Sequence, residues 1–126
     1  MKIERLDHLV LTVRDIEATV AFYTQALGMK PVTFGNGRRA LAFGQQKLNL
    51  HSADDPLKPH AACPTAGSAD LCLISSDPIS KVIAHLKDAG IVIEEGPVPR
   101  TGALGPITSV YFRDPDGNLI EVAYYD

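Results

Sequence analysis

The chain carries one short pattern twice, with His8 of the first copy falling on Asp70 of the second, an offset of 62 positions. The first copy opens Asp7-His8-Leu9-Val10-Leu11 and runs through Asp15 to Leu27-Gly28. The second opens Ala69-Asp70-Leu71-Cys72-Leu73 and runs through Asp77 to Ala89-Gly90. Without gaps the same offset pairs Leu9 with Leu71, Leu11 with Leu73, Asp15 with Asp77, Val20 with Val82 and Gly28 with Gly90. Matching a strand start, a helix cap and a helix-ending glycine together implies two similar units. Each is too short to bury a sufficient core by itself, so the two are expected to share one.

The bulk numbers narrow the class. The apolar fraction of 45% and charged fraction of 21% are those of an ordinary globular domain. With a net charge of −3 and no basic stripe, a nucleic-acid partner is not expected. The start Met1-Lys2-Ile3-Glu4-Arg5 lacks the apolar run of a signal peptide, and no stretch reaches the ~20 apolar residues of a membrane span. The expected location is therefore the cytoplasm. Two cysteines are too few for a disulfide framework. Cys72, in an apolar run, is expected in the core, and Cys63 in a loop.

Residues 6–13 read as a strand. Asp15 then offers an N-cap to Ala18, and Ile16, Val20, Tyr23, Ala26 and Leu27 recur at helical spacing over 16–27. Gly28 suits a left-handed C-cap. Strands follow at 29–34, 38–43 and 47–51, with Gly35-Asn36-Gly37 as a turn. The second half repeats the order: strand 71–75, helix 79–89, strand 91–94, a Pro/Gly-rich loop 96–106, strand 108–112, the turn Asp114-Pro115-Asp116-Gly117, and strand 118–124. The expected fold is α+β, two βαβββ modules at 1–53 and 69–126 forming one curved mixed sheet. A linker at 54–68 joins them into a single domain.

Several polar residues sit inside these apolar strands. His8 shares a face with Leu6 and Val10, Glu121 with Leu119 and Ala123, and Asn49 with His51. A carboxylate within Leu119-Ile120-Glu121-Val122 is costly to bury unless it is paired or bound to a cation. Asp70 is in the same position beside Leu71 and Cys72. Taken singly, each is more often a hydrogen-bonded or solvated residue than a ligand. The repeat raises their weight, because His8 is equivalent to Asp70. Aligning the last strands also sets Asn49 against Glu121. Arg100 is a candidate clamp for an anion, and Tyr111, Tyr23 and Tyr124 are candidate acid–base or binding groups. Lys58 and His60, in the linker, read as surface. There is no Walker loop and no dinucleotide fingerprint, and Ser75-Ser76 has no acid–base partners, so nucleotide and nucleophilic hydrolytic chemistry are not expected.

The doubled βαβββ order, the His after Leu6-Asp7, Phe22-Tyr23 before Leu27-Gly28, and Phe112-Arg113-Asp114-Pro115-Asp116-Gly117-Asn118-Leu119-Ile120-Glu121 together resemble the vicinal oxygen chelate superfamily. Glyoxalases, extradiol dioxygenases and fosfomycin resistance proteins belong to it. The segment 94–102 with Asn49-Leu50-His51 looks closer still to small glyoxalase-domain proteins of unassigned activity, including bacterial virulence-type proteins. The resemblance implies a cup-like sheet holding a divalent metal (Ni, Zn, Mn or Fe(II)), with His8 and Glu121 as ligands. Asp70 sits where glyoxalase I has a second His, and Asn49 where it has Glu or Gln. His51 then stands as the third ligand, Asp70 and Glu121 as catalytic groups, and Arg100 and Tyr111 as substrate-binding groups.

Such a set makes a metal-dependent lyase, isomerase or ring-cleaving dioxygenase acting on a small molecule with vicinal oxygens. The alternative is a non-catalytic protein of the same fold that binds a small molecule or antibiotic. Since many relatives complete the cup from two chains, a homodimer is expected.

Overall fold

The computed structural model describes residues 1–126 as two compact units, Met1–Gly67 and Ser68–Asp126. In the first, β1 (His8–Val13), α1 (Ile16–Leu27), β2 (Lys30–Phe34), β3 (Arg38–Phe43) and β4 (Gln46–Ser52) follow in order. The second repeats it as β5 (Asp70–Ile74), α2 (Ile79–Asp88), β6 (Glu95–Gly102), β7 (Gly105–Arg113) and β8 (Leu119–Tyr125). Each unit hydrogen-bonds its own four-stranded mixed sheet, ordered β1-β4-β3-β2 and β5-β8-β7-β6. The first and last strands of a unit lie parallel, and the other pairs are antiparallel.

Strand parity separates two faces in each sheet. In the first unit Leu11, Val13, Leu41, Leu48 and Leu50 point to the helix side and are buried there with Val20, Tyr23 and Ala26 of α1. Arg39, on that side, pairs with Glu17 of the helix. The opposite face carries His8, Val10, Thr12, Lys47, Asn49 and His51. In the second unit Ile120, Val122, Val110 and Phe112 are buried on the helix side, with Val82 and Leu86 of α2. Asp70, Cys72, Glu121, Ser109 and Tyr111 occupy the other face.

Local chemistry explains α1 fully. The Asp15 carboxylate accepts the Ala18 N–H at 3.0 Å, and Gly28 closes the helix at φ 65. The Asp15–Asp77 correspondence does not extend to capping. Pro78 precedes α2, no side chain caps it, and the Asp77 N–H donates to Ser75 Oγ at 2.9 Å. Asp15→Ala is therefore expected to cost about 1 kcal/mol in urea denaturation, and Asp77→Ala distinctly less.

Three sequence expectations are corrected. The stretch 91–94 is not a strand, and the supposed loop 96–106 contains β6 and the start of β7. Pro97 and Pro99 are tolerated because β6 is the sheet's edge, where a missing N–H breaks no ladder on the open side. A register shift between Glu95 and Val98 absorbs the irregularity. Gly96 sits there at φ 111, and a Cβ on it would lie 2.4 Å from the Ser109 carbonyl oxygen. Gly96→Ala is expected to cost about 3 kcal/mol by backbone strain and clash, measurable as a fall in denaturation midpoint. Cys72 is exposed rather than core, because parity puts it beside Glu121 and away from Leu71 and Leu73.

The turn before β8 fixes where Glu121 emerges. Asp114 Oδ1 accepts the N–H groups of Asp116 and Asn118, each at 2.9 Å, and its Oδ2 accepts from Asn118 Nδ2 at 2.8 Å. Asn118 Oδ1 in turn accepts the Ala69 N–H at 2.9 Å, tying the turn to the start of β5. All three side chains are buried, so the bonds stand in low dielectric.

Candidate functional site

The open face of the first sheet holds the least satisfied polar groups. His51, only 5% exposed on β4, has neither ring nitrogen hydrogen-bonded. Asn49, two residues back and 4% exposed, has an unpartnered Oδ1. Buried polar atoms are nearly always paired, and each orphan costs about 1–3 kcal/mol. Two neighbouring orphans on one face point to a ligand.

A cavity of about 300 Å³ opens beside His51, lined by Val10, Thr12, His51, Pro59, His60, Ala61 and Pro64. Thr12 lies directly opposite His51 on β1. The other wall comes from the linker segment, through Pro59, His60, Ala61 and Pro64. His60 is exposed, as expected, yet it faces this cavity. Its Nδ1 donates to the Ala61 carbonyl at 2.8 Å, leaving Nε2 with a lone pair when the ring is neutral. Burial first, with the Arg38 charge and His60 behind it, holds the His51 pKa below its usual value. At neutral pH the ring is uncharged and offers a lone pair.

His8 is on the same face but at the exposed start of β1, its Nδ1 2.8 Å from Asp7. This contact lowers the Asp7 pKa. His8 pairs in register with Lys47, and His51 lies four residues further along β4, a strand run of roughly 13 Å. Val10 and Asn49 occupy the row between them. The two imidazoles therefore share a face without touching.

The predicted residues of the second unit form a polar row. Glu121 accepts from Ser109 Oγ at 2.5 Å and lies opposite Tyr111 on β7 and Cys72 on β5. Desolvation by the surrounding sheet, then the Glu121 charge, pushes the Cys72 thiol up to about 11. Arg100 Nε donates to the Tyr111 hydroxyl at 3.0 Å, its Nη2 lies 3.3 Å from Glu95, and its guanidinium sits 5.5 Å from the Tyr111 ring centroid. Desolvation raises the Tyr111 pKa, and the Tyr111 hydrogen bond raises that of Arg100. Asp70 is exposed at the start of β5 on the same face. Tyr124 points to the helix side and Tyr23 is fully buried, so neither joins this row. No three His, Cys, Asp or Glu side chains of the chain gather into a metal-holding group.

Paired βαβββ units with polar residues on their open sheet faces define a class of small α+β proteins with the glyoxalase fold. The family model for the Glyoxalase/Bleomycin resistance protein/Dioxygenase superfamily matches residues 5–122, and the chain belongs to that superfamily. It is 57% identical over 125 residues to virulence protein STM3117 of Salmonella typhimurium, covering 99% of this chain and 87% of that protein. The crystal structure of that protein superposes with a TM-score of 0.98 at 56% identity over the whole of both chains. Glyoxalase domain-containing protein RDO1 of Mycosarcoma maydis is 51% identical, covering 99% of this chain and 70% of RDO1. Metallothiol transferase FosB of Lysinibacillus sphaericus is 27% identical over 121 residues, covering 96% and 82% of the two chains. No helix is long and apolar enough to cross a membrane.

Proposed function

We propose that the protein is a divalent-metal-dependent enzyme that acts on a small molecule with vicinal oxygens, by lyase, isomerase or ring-cleaving dioxygenase chemistry. The observation that carries this reading is His51, a buried neutral imidazole with both nitrogens unpartnered beside a cavity. Such a ring fits a metal ligand, which must be deprotonated at the donor nitrogen. His8, His51 and Glu121 are the proposed ligands, two imidazoles and one carboxylate of the kind that suits Ni, Zn, Mn or Fe(II), and the strand run between His8 and His51 means that the start of β1 would have to move toward His51 for one ion to meet both. The orphaned Oδ1 of Asn49, in the row between the two histidines, is a further donor. When bound, the ion supplies Lewis acidity toward the substrate's oxygens. Ser109 donates to Glu121 and fixes the orientation of its carboxyl group. Asp70 serves as the base, and Arg100 with Tyr111 holds the substrate. The name of the relative FosB, a metallothiol transferase, supports a metal.

The working unit is a single domain of 1–126 in a symmetric cytoplasmic homodimer. Leu9 and Val10 point to opposite faces of the edge strand β1, yet stay 40% and 41% exposed, which suits a partner along that strand.

The scattered donors favour one second reading, a non-catalytic binding protein of the same fold. Metal analysis of protein purified without chelator, followed by titration with Ni, Zn, Mn and Fe(II), separates the two. One tightly bound ion per chain is expected. Absence of binding to all four metals would leave the binding-protein reading.

A further inference from the structure

We infer that the molecule bound on the first sheet's open face is an anion, its carboxylate or equivalent acidic group held by Lys47 and Arg38 beside Phe34. This rests on the proposed function for the place of the site, but not for the metal. Parity and register put Lys30, Val32 and Phe34 of β2, Arg38, Ala40 and Ala42 of β3, and Lys47, Asn49 and His51 of β4 on one face. None of these positions carries a carboxylate.

Lys47 Nζ lies 3.7 Å from the Phe34 ring centroid and Arg38 Cζ 4.8 Å from it. Two cations thus share one aromatic ring, an arrangement in which each attracts the π-face and repels the other. Other strand arginines are neutralised: Arg39 by Glu17, Arg100 by Glu95 and Arg113 by Glu94. Lys47 and Arg38 enter no ion pair. Asp7 lies within electrostatic range of Lys47, but it is exposed and its hydrogen bond goes to His8.

The second observation is independent of charge. Asn49 and His51, on the same face as these cations, are more than nine-tenths buried and hold the orphaned atoms described above. Arg38 is close enough to His51 to act on it electrostatically. An acidic group at Lys47 and Arg38 would relieve their mutual repulsion, and the rest of the molecule would meet the orphaned amide and imidazole. The apolar walls Val10, Pro59, Ala61 and Pro64 and the 300 Å³ volume limit that remainder to something small.

Protocatechuate and catechol test this, because both present vicinal oxygens on the same ring and only the first carries a carboxylate. Calorimetric titrations of the full-length protein, metal-free and Zn-loaded, are expected to show protocatechuate binding about tenfold tighter or better. In the double variant Arg38→Gln/Lys47→Gln that advantage should vanish, while catechol and Zn affinities stay near wild type. Each single variant should lose part of it, which guards against a folding artefact. Equal affinity for the two rings, no binding of protocatechuate, or a preference that survives the double substitution would overturn the inference. Failure of the wild type to bind Zn would leave this inference standing, since the preference is also read on metal-free protein.

Discussion

Glu121→Ala is expected to abolish divalent-metal binding, and His8→Ala to do nearly the same. Calorimetry with Zn on apo-protein reads both. Glu121 supplies the only carboxylate of the proposed ligand set, and its removal also strands the Ser109 hydroxyl, which is fully buried. Glu121→Ala should therefore lower stability as well, by about 1 kcal/mol. His8, exposed at the strand start, should show no such penalty. Asp70→Asn keeps shape and removes charge: if Asp70 is the base, turnover falls while the metal stays. Zn affinity unchanged in both Glu121→Ala and His8→Ala would end the metal assignment.

His51→Leu is expected to move stability and binding in opposite directions. Leucine removes two buried, unpartnered nitrogens and keeps apolar volume, so urea denaturation should show a gain of about 1–2 kcal/mol. Metal affinity should fall at least ~100-fold if the ring is a direct ligand, and about 10- to 100-fold if it only supports one. The pH dependence carries a second signature. His51 titrates below its usual value in the folded chain and near 6.5 when unfolded. Below about pH 6.5 the unfolded state binds a proton that the native state resists, so wild-type stability is lost as pH falls through that value toward the lower folded pKa. His51→Leu should lack this component. A destabilised leucine variant would mean that His51 has a partner and is structural.

How much of this was legible in the sequence depends on how far each feature reaches along the chain. Helix α1, its Asp15 cap and its Gly28 end rest on contacts within one or a few turns, and they read directly. The β6 strand did not, because Pro97 and Pro99 are compatible with a strand only at an edge, and edge position is set by the order of all four strands. The exposure of Cys72 is not readable locally, because an apolar run fixes a strand but not which face of it is buried. At the candidate site, period-two spacing placed Asn49 and His51 on one face. Their unpartnered state had no local signal, since it depends on which groups the folded chain brings near them. Nor did the trio Phe34, Arg38 and Lys47, which three strands bring together through their register.

The prolines of the outer strands have a consequence for how this protein fails. Each sheet ends on one side in a strand that carries proline: Pro31 in β2, beside Lys30, and Pro97 and Pro99 in β6. An edge without a full row of N–H donors is a poor template for another chain's strand, and a lysine there adds a charge that must be desolvated. The opposite edges, β1 and β5, contain no proline. Open-ended stacking of sheets into fibres needs two receptive edges, and each of these sheets offers one. Strand addition to either sheet is therefore confined to its β1 or β5 edge.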